Sequence, residues 1–192
     1  MRVVAAGWIP VALVACAACE APQADGNGEA RATRAEAWPA AKPADVESVD
    51  AILSALYSAI SFAPGGEPDW MRLRSLFHPA GTLAPPRGEG SRALVLTVEE
   101  FVRASSEYIA ASGLDARGFS ERELGRRLER FGDVAHAFSA YASRYAADDP
   151  EPYSRGVNSI QLVRGEGRWW VLHIAWDVER PGNPIPPELE AR

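Results

Sequence analysis

The chain has 192 residues and a formal net charge of −6 at pH 7, with its basic residues scattered rather than clustered. This charge balance argues against nucleic acid as a partner. The two cysteines, Cys16 and Cys19, both lie near the N-terminus, so the rest of the sequence offers neither an internal disulfide nor a thiolate metal site.

The first residues have the pattern of a secretory signal. Arg2 supplies a positive start, and residues 3–15 form an apolar stretch that is too short to span a bilayer. The end of this stretch, Leu13-Val14-Ala15-Cys16, resembles the bacterial lipobox, in which a small residue precedes a cysteine that is acylated and then exposed by cleavage. We therefore predict an exported lipoprotein in the periplasm or at the cell surface, held on the membrane only by a lipid on Cys16. The alternatives are acylation of Cys19 and an ordinary Ala-rich signal with a stray cysteine.

Composition divides the rest of the chain into three parts. After the signal at residues 1–15, residues 16–44 consist mainly of Ala, Pro, Gly and charged residues, which predicts a flexible tether. Residues 45–187 have the length and apolar content of a single domain, and residues 188–192 are predicted to be a disordered tail.

Three helices are predicted in the first half of the domain. Residues 45–61 place their large apolar side chains on one helical stripe, and Asp69 caps a short second helix. The third helix begins at Thr97, whose hydroxyl can form a capping box with Glu100, and it stops at Gly113.

The second half of the domain has the pattern of a sheet. Residues 134–145, 156–164 and 168–178 are rich in β-branched and aromatic residues and are separated by turn signals. The last segment is apolar on both faces, so we expect one face to cover the helices and the other to be covered by a second copy of the protein. Residues 119–131 are ambiguous: their apolar spacing fits a helix, whereas their position before the turn at Gly132-Asp133 favours a first long strand.

Several short motifs resemble the nuclear transport factor 2-like superfamily. They are Leu76-Phe77-His78-Pro79 at a helix-to-strand passage, Phe131-Gly132-Asp133-Val134-Ala135 at a strand start, and the run from Gly167 to His173 in the final strand. The likeness extends over about residues 46–184 and is greatest to a group of exported bacterial members without an assigned activity.

The resemblance implies an α+β fold, in which three N-terminal helices pack on a strongly bent antiparallel sheet to form a cone-shaped barrel. It also implies an apolar pocket at the open end, which relatives use for isomerase, dehydratase, hydrolase or cyclase chemistry or only for binding. Where related sequences commonly carry an Asp after the Phe-His-Pro passage, this sequence has Ala80-Gly81. The missing carboxylate counts against those chemistries.

An enzyme of this type needs an ionisable group in an apolar cavity, where desolvation shifts its pKa toward the working pH. His78 is one candidate general base, although a structural role, capping the preceding helix or tightening the turn before Pro79, is favoured for it. Glu121 and Glu123 are the others, because residues two apart in a strand share a face. The arginines around them also fit a solvated ladder of charges.

Four residues are predicted to bind the ligand through polar groups: Tyr57, Tyr141, Gln161 and His173. Asn158 is a further hydrogen-bonding residue, but it cannot share a face with Gln161 in a regular strand, because the two are three positions apart. No motif for a metal or a cofactor is present in the sequence, so we expect neither.

The sequence is compatible with three functions. The first is a domain that binds a small, largely apolar molecule without turnover. The second is a cofactor-free lyase, isomerase or hydrolase that uses His78 or the pair Glu121/Glu123 as general base. The third is an assembly module in which the cone serves only to form a homodimer through the sheet. An open cavity that contains a titratable side chain would favour the first two, whereas a cavity filled by Trp and Phe would leave the third.

Overall fold

The computed structural model describes residues 38–86 and 91–190. The predicted signal, the Cys16 anchor and most of the predicted tether lie outside these residues. The described helices are α1 (Pro43–Val46), α2 (Val49–Ile60), α3 (Trp70–Leu76), α4 (Val98–Ser112), α5 (Leu114–Arg117) and a final 3-10 turn, Pro187–Leu189. The strands are β1 (Phe77–Ala84), β2 (Leu96–Thr97), β3 (Ser120–Phe131), β4 (Val134–Arg144), β5 (Ser154–Gly165) and β6 (Arg168–Val178).

The helices begin and end where local signals place them. Ser48 caps α2 by accepting a hydrogen bond from the backbone N–H of Ala51, and this cap divides the predicted helix 45–61 into α1 and α2. The Asp69 cap and the capping box of Thr97 with Glu100 are both present. None of the helices within the described ranges combines the length and hydropathy needed to cross a bilayer.

One curved sheet of six strands holds the fold together, in the order β2-β1-β6-β5-β4-β3. The α+β class is confirmed, but the prediction of a purely antiparallel sheet is wrong, because β1 runs parallel to β6. The long connection between these two strands, which contains α4 and β3 to β5, allows their parallel pairing.

The ambiguous segment 119–131 is a strand. All of β3 pairs with β4, from Ser120 opposite Arg144 to Phe131 opposite Val134. The hydrogen-bonded ladder outweighs the helical spacing of the apolar residues. A register shift between Glu123 and Gly125 makes Leu124 an extra residue in the strand.

The concave face of the sheet and the helices enclose the main core, which includes the fully buried Ile52, Leu53, Phe77, Ile160 and Trp169. Packing begins earlier in the chain than the predicted boundary at residue 45. Trp38 lies against this core, and its indole N–H donates a 2.9 Å hydrogen bond to the carbonyl of Phe77. Residues 38–44 were predicted to belong to a flexible tether, but here they pack against the domain.

The apolar residues on both faces of β6 are explained by a β-bulge in this strand and do not require a second copy of the protein. Between Gln161 and Leu162 of β5 the register with β6 shifts, so that Leu172 is an extra residue. The bulge reverses the alternation of the strand and turns apolar residues on both sides of it toward the concave face. These residues are Trp169, Val171, Ile174 and Trp176.

The convex face is partly covered by the C-terminal segment. Ile185 and Leu189 pack there in a second, smaller core with Ala140, and Leu189 is 1% exposed. Residues 188–190 therefore do not behave as the predicted disordered tail. Because the bulge and this segment already account for much of the two-faced apolar pattern, the homodimer through the sheet stays a prediction.

Candidate functional site

A cavity of about 870 Å³ lies between the curved sheet and helices α2 and α4. Its wall is mostly apolar and includes Leu56, Trp70, Phe77, Phe101, Ile174 and Trp176. Among the described residues, the aromatic side chains line the wall and do not fill the interior.

Glu121 supplies the carboxylate of the cavity. It lies on the concave side of β3, opposite Ser143 of β4, and the Ser143 hydroxyl donates a 2.8 Å hydrogen bond to its Oε2. Burial raises the pKa of Glu121 to about 7, although the nearby Ser143 hydroxyl and Asn158 amide oppose the shift. At neutral pH this side chain is therefore divided between its protonated and ionised forms.

A chain of hydrogen bonds begins beside Glu121 and runs behind the cavity wall. The amide of Asn158 donates to the Tyr57 hydroxyl at 3.1 Å, and that hydroxyl lies 2.6 Å from the hydroxyl of Ser139. Ser139 in turn donates to Oε1 of Glu123 at 2.7 Å. Because Tyr57 accepts from the amide, its own proton is directed toward Ser139, so all donors point toward the Glu123 carboxylate.

Glu123 has a different environment from Glu121. It forms an ion pair with Arg126, which also pairs with Asp50 of α2. These groups line a second, polar pocket of about 480 Å³, and Glu121 lies on the wall of both pockets. Of the predicted carboxylate pair, Glu121 alone contacts the apolar cavity.

Tyr141 presents the other polar group of the cavity. The residue is 4% exposed, and its hydroxyl has no hydrogen-bond partner among the described residues. Burial, followed by the charge of Glu121, raises the pKa of Tyr141, so the phenol remains protonated. It can donate a hydrogen bond to a ligand.

The structure separates the four predicted ligand-binding residues. Tyr141 lines the apolar cavity, and Tyr57 stands behind it in the hydrogen-bonded chain. Gln161 and His173 pair with each other on the convex face, where the His173 ring nitrogen Nδ1 lies 2.8 Å from the Thr82 hydroxyl. Neither residue lines the cavity, because the strand alternation turns both side chains outward.

His78 also lies outside the cavity. Its exposed ring accepts a 3.1 Å hydrogen bond from the backbone N–H of Ala80 and stands edge-on to Trp170. His78 is therefore not placed to act as a general base in the cavity.

The residues missed by sequence reasoning are Ser139 and Ser143, whose hydroxyls donate to the two glutamates. Both follow the period of two that places Tyr141 on the concave face of β4. Their register with β3 would have revealed them, but a single sequence does not specify that register. Within the described ranges, no group of three or more His, Cys, Asp or Glu residues is placed to hold a metal ion.

No protein-family model matches the chain, and no curated protein matches it. Among solved structures, a protein of unknown function from Mycobacterium tuberculosis is 15% identical, with a TM-score of 0.50, over 72% of this chain and 79% of that one. A nuclear transport factor 2-like protein of unknown function from Shewanella baltica is 13% identical, with a TM-score of 0.44, over 67% and 89% of the two chains. A cystatin-like-fold protein of unknown function from Nostoc punctiforme is 18% identical, with a TM-score of 0.45, over 62% and 81%. At these identities the likeness is one of fold.

Proposed function

We propose that this chain, which has the nuclear transport factor 2-like fold, binds a small, largely apolar molecule in its cavity, with a polar group of the ligand directed at Glu121 and Tyr141. The observation that carries the proposal is the open apolar cavity of about 870 Å³ with a carboxylate and an unpaired phenol on its wall. Small-molecule sites commonly have this volume and this combination of an apolar lining with few polar groups. The open interior also argues against a cone that serves only for assembly.

The binding proposal is tested with N-phenyl-1-naphthylamine, a neutral apolar probe that fluoresces when it leaves water. The mature protein should bind it, and Ala104→Trp should weaken binding at least tenfold, because Ala104 lies on the cavity wall. Ala110→Trp is the matched control, since Ala110 is exposed on the same helix and outside the wall. Equal binding by both variants would contradict the proposal.

A second candidate is a cofactor-free isomerase or lyase in which Glu121 is the general base. It is favoured by the pKa of Glu121 at about 7, since a base with this pKa is half ionised at neutral pH. Tyr141 would then hydrogen-bond the oxygen on which negative charge develops. The fold itself does not choose between binding and turnover.

The probe for this second function is 5-nitrobenzisoxazole, an apolar molecule whose ring opens when a base removes one carbon-bound proton. Its ring opening should become faster as the pH rises through about 7 and should fall to the rate in buffer in Glu121→Gln. Glu129→Gln, an exposed change on the same strand, is the control and should keep the wild-type rate. A protein that binds the first probe but does not open this ring would be a binding domain only.

We also propose that the domain is exported and anchored by a lipid on Cys16. The proposal is supported by the sequence Leu13-Val14-Ala15-Cys16 after an apolar segment of secretory length. In its host, Cys16→Ala should move the protein from the detergent phase to the aqueous phase, whereas Cys19→Ala should not. The reverse result would make Cys19 the acceptor.

A further inference from the structure

The two ends of the cone are built from opposite ends of the same strands. The β3–β4 turn and the β5–β6 turn lie side by side, since the backbone N–H of Arg164 donates a 2.7 Å hydrogen bond to the carbonyl of Asp133. We call this the hairpin end. The cavity is lined from the other ends of these strands, by Glu121 near the start of β3 and Val178 at the end of β6.

The hairpin end exposes apolar side chains in close proximity. Phe131 is 87% exposed and lies directly opposite Val134, which is 53% exposed, so the two side chains share one face of the β3–β4 hairpin. Single exposed apolar residues are ordinary, but an aromatic and an aliphatic side chain that face each other at the tip of one hairpin form a continuous apolar surface suited to a contact. We call Phe131 and Val134 the hairpin patch.

The charge around the hairpin patch differs from that of the whole chain. The whole chain has a formal net charge of −6, whereas the hairpin end carries a small excess of arginine. The positive residues are Arg127, Arg130, Arg164 and Arg168, and the negative ones are Glu129, Asp133 and Glu166. Apolar side chains flanked by arginine suit the boundary between the headgroups and acyl chains of an anionic bilayer.

The polypeptide enters the domain near the same end. Trp38, the first described residue, is hydrogen-bonded to Phe77, and Phe77 pairs with Val171 only a few residues from the β5–β6 turn. About 20 residues separate Trp38 from Cys16, and the flexible tether predicted from the sequence would span roughly 25 Å on average at that length. A lipid on Cys16 would therefore hold the hairpin end within reach of the membrane.

From this arrangement we infer that Phe131 and Val134 insert into the surface of the bilayer that holds the Cys16 lipid, and that the cavity consequently opens away from the membrane. The inference depends on the proposed anchor but not on what the cavity binds. A lipid anchor alone leaves the domain free to rotate on its tether, whereas a second, protein-borne contact with the bilayer fixes the orientation of the domain. A ligand of the cavity would then enter from the aqueous phase and leave to it, and not pass through the bilayer.

The inference is tested by lipid quenching of a fluorophore on the acylated protein in vesicles of phosphatidylethanolamine and phosphatidylglycerol with brominated acyl chains. In a Cys19→Ser background, the label is attached to Asp133→Cys at the hairpin end or to Asp148→Cys at the cavity end. Both are exposed aspartates, which makes the two sites a matched pair. We expect at least threefold stronger quenching at position 133 than at position 148.

Replacing Phe131 and Val134 together by Ser should abolish the difference in quenching while the protein still floats with the vesicles. Val95→Ser, at an exposed valine outside the hairpin end, should leave the difference unchanged.

Flotation with equal quenching at both labels would overturn the inference and leave the anchor intact. Energy transfer between labels at position 133, without quenching by the lipid, would show that the hairpin patch contacts a second copy of the protein and not the bilayer. Failure to float would overturn the anchor and the inference together, whereas binding of the naphthylamine probe would still report on the cavity.

Discussion

The carboxylate of Glu121 and the hydroxyl of Ser143 face each other across β3 and β4, at a donor–acceptor distance of 2.8 Å. The hydroxyl stabilises the ionised carboxylate, whereas burial in the cavity wall destabilises it. Burial is the larger effect, and the pKa of Glu121 rises from its ordinary value of 4.5 to about 7.

This pKa shift links the stability of the domain to pH. Between pH 4.5 and about 7 the folded protein retains a proton that the unfolded chain releases. The contribution of Glu121 to the free energy of unfolding is therefore fully present below pH 4.5 and is lost as the pH rises through 7. Glu121→Gln should raise the free energy of unfolding at pH 8 by about 1–3 kcal/mol and change it little at pH 4.5. Urea denaturation of both proteins at the two pH values measures this, and an equal change at both would refute the linkage.

Loss of the Tyr57 hydroxyl should weaken the buried hydrogen-bonded chain. Tyr57→Phe leaves the Asn158 amide and the Ser139 hydroxyl each without one partner, which should cost about 1–3 kcal/mol in the free energy of unfolding. Tyr145→Phe is the control, because the Tyr145 hydroxyl has no hydrogen-bond partner among the described residues while its ring stacks on Tyr153. A cost for Tyr145→Phe as large as that for Tyr57→Phe would assign the effect to the aromatic ring and not to the hydrogen bonds.

A methyl group at Gly156 should disturb the cavity wall. A Cβ atom there would lie 2.5 Å from the Tyr141 hydroxyl oxygen and closer still to the backbone oxygen of Asp177. Gly156→Ala should therefore lower the free energy of unfolding by about 1–3 kcal/mol and reduce the affinity for the naphthylamine probe. On the same strand, a Cβ at Gly165 meets no atom within 4 Å, so Gly165→Ala should leave probe affinity unchanged. Probe titration and urea denaturation of the pair separate a local clash from a general effect of alanine.

The C-terminal segment should contribute to stability. Leu189 is 1% exposed against the convex face, and Leu189→Ala should cost about 2–4 kcal/mol in the free energy of unfolding. Leu172→Ala, at a leucine that is 37% exposed on the same sheet, should cost about 1 kcal/mol or less. Thermal and urea denaturation provide the measurement, and a neutral Leu189→Ala would mean that the segment is not docked in solution.

The sequence by itself determined the features that depend on neighbouring residues. The capping box of Thr97 with Glu100 and the end of α4 at Gly113 each involve groups within a few positions of one another. Both signals can therefore be recognised from a short stretch of sequence. Alternation also placed Glu121 and Glu123 on one face once β3 was taken as a strand.

Tertiary structure alone decided which faces are buried and what meets there. The bulge at Leu172 sets the faces of β6, and pairing with β5 then turns His173 and Gln161 outward together. Likewise, Glu121 differs from Glu123 because one meets the apolar cavity and the other meets Arg126. The physical reason is that side-chain alternation fixes only relative orientation along one strand. Absolute orientation, burial and hence pKa depend on the register with strands and helices that are distant in sequence.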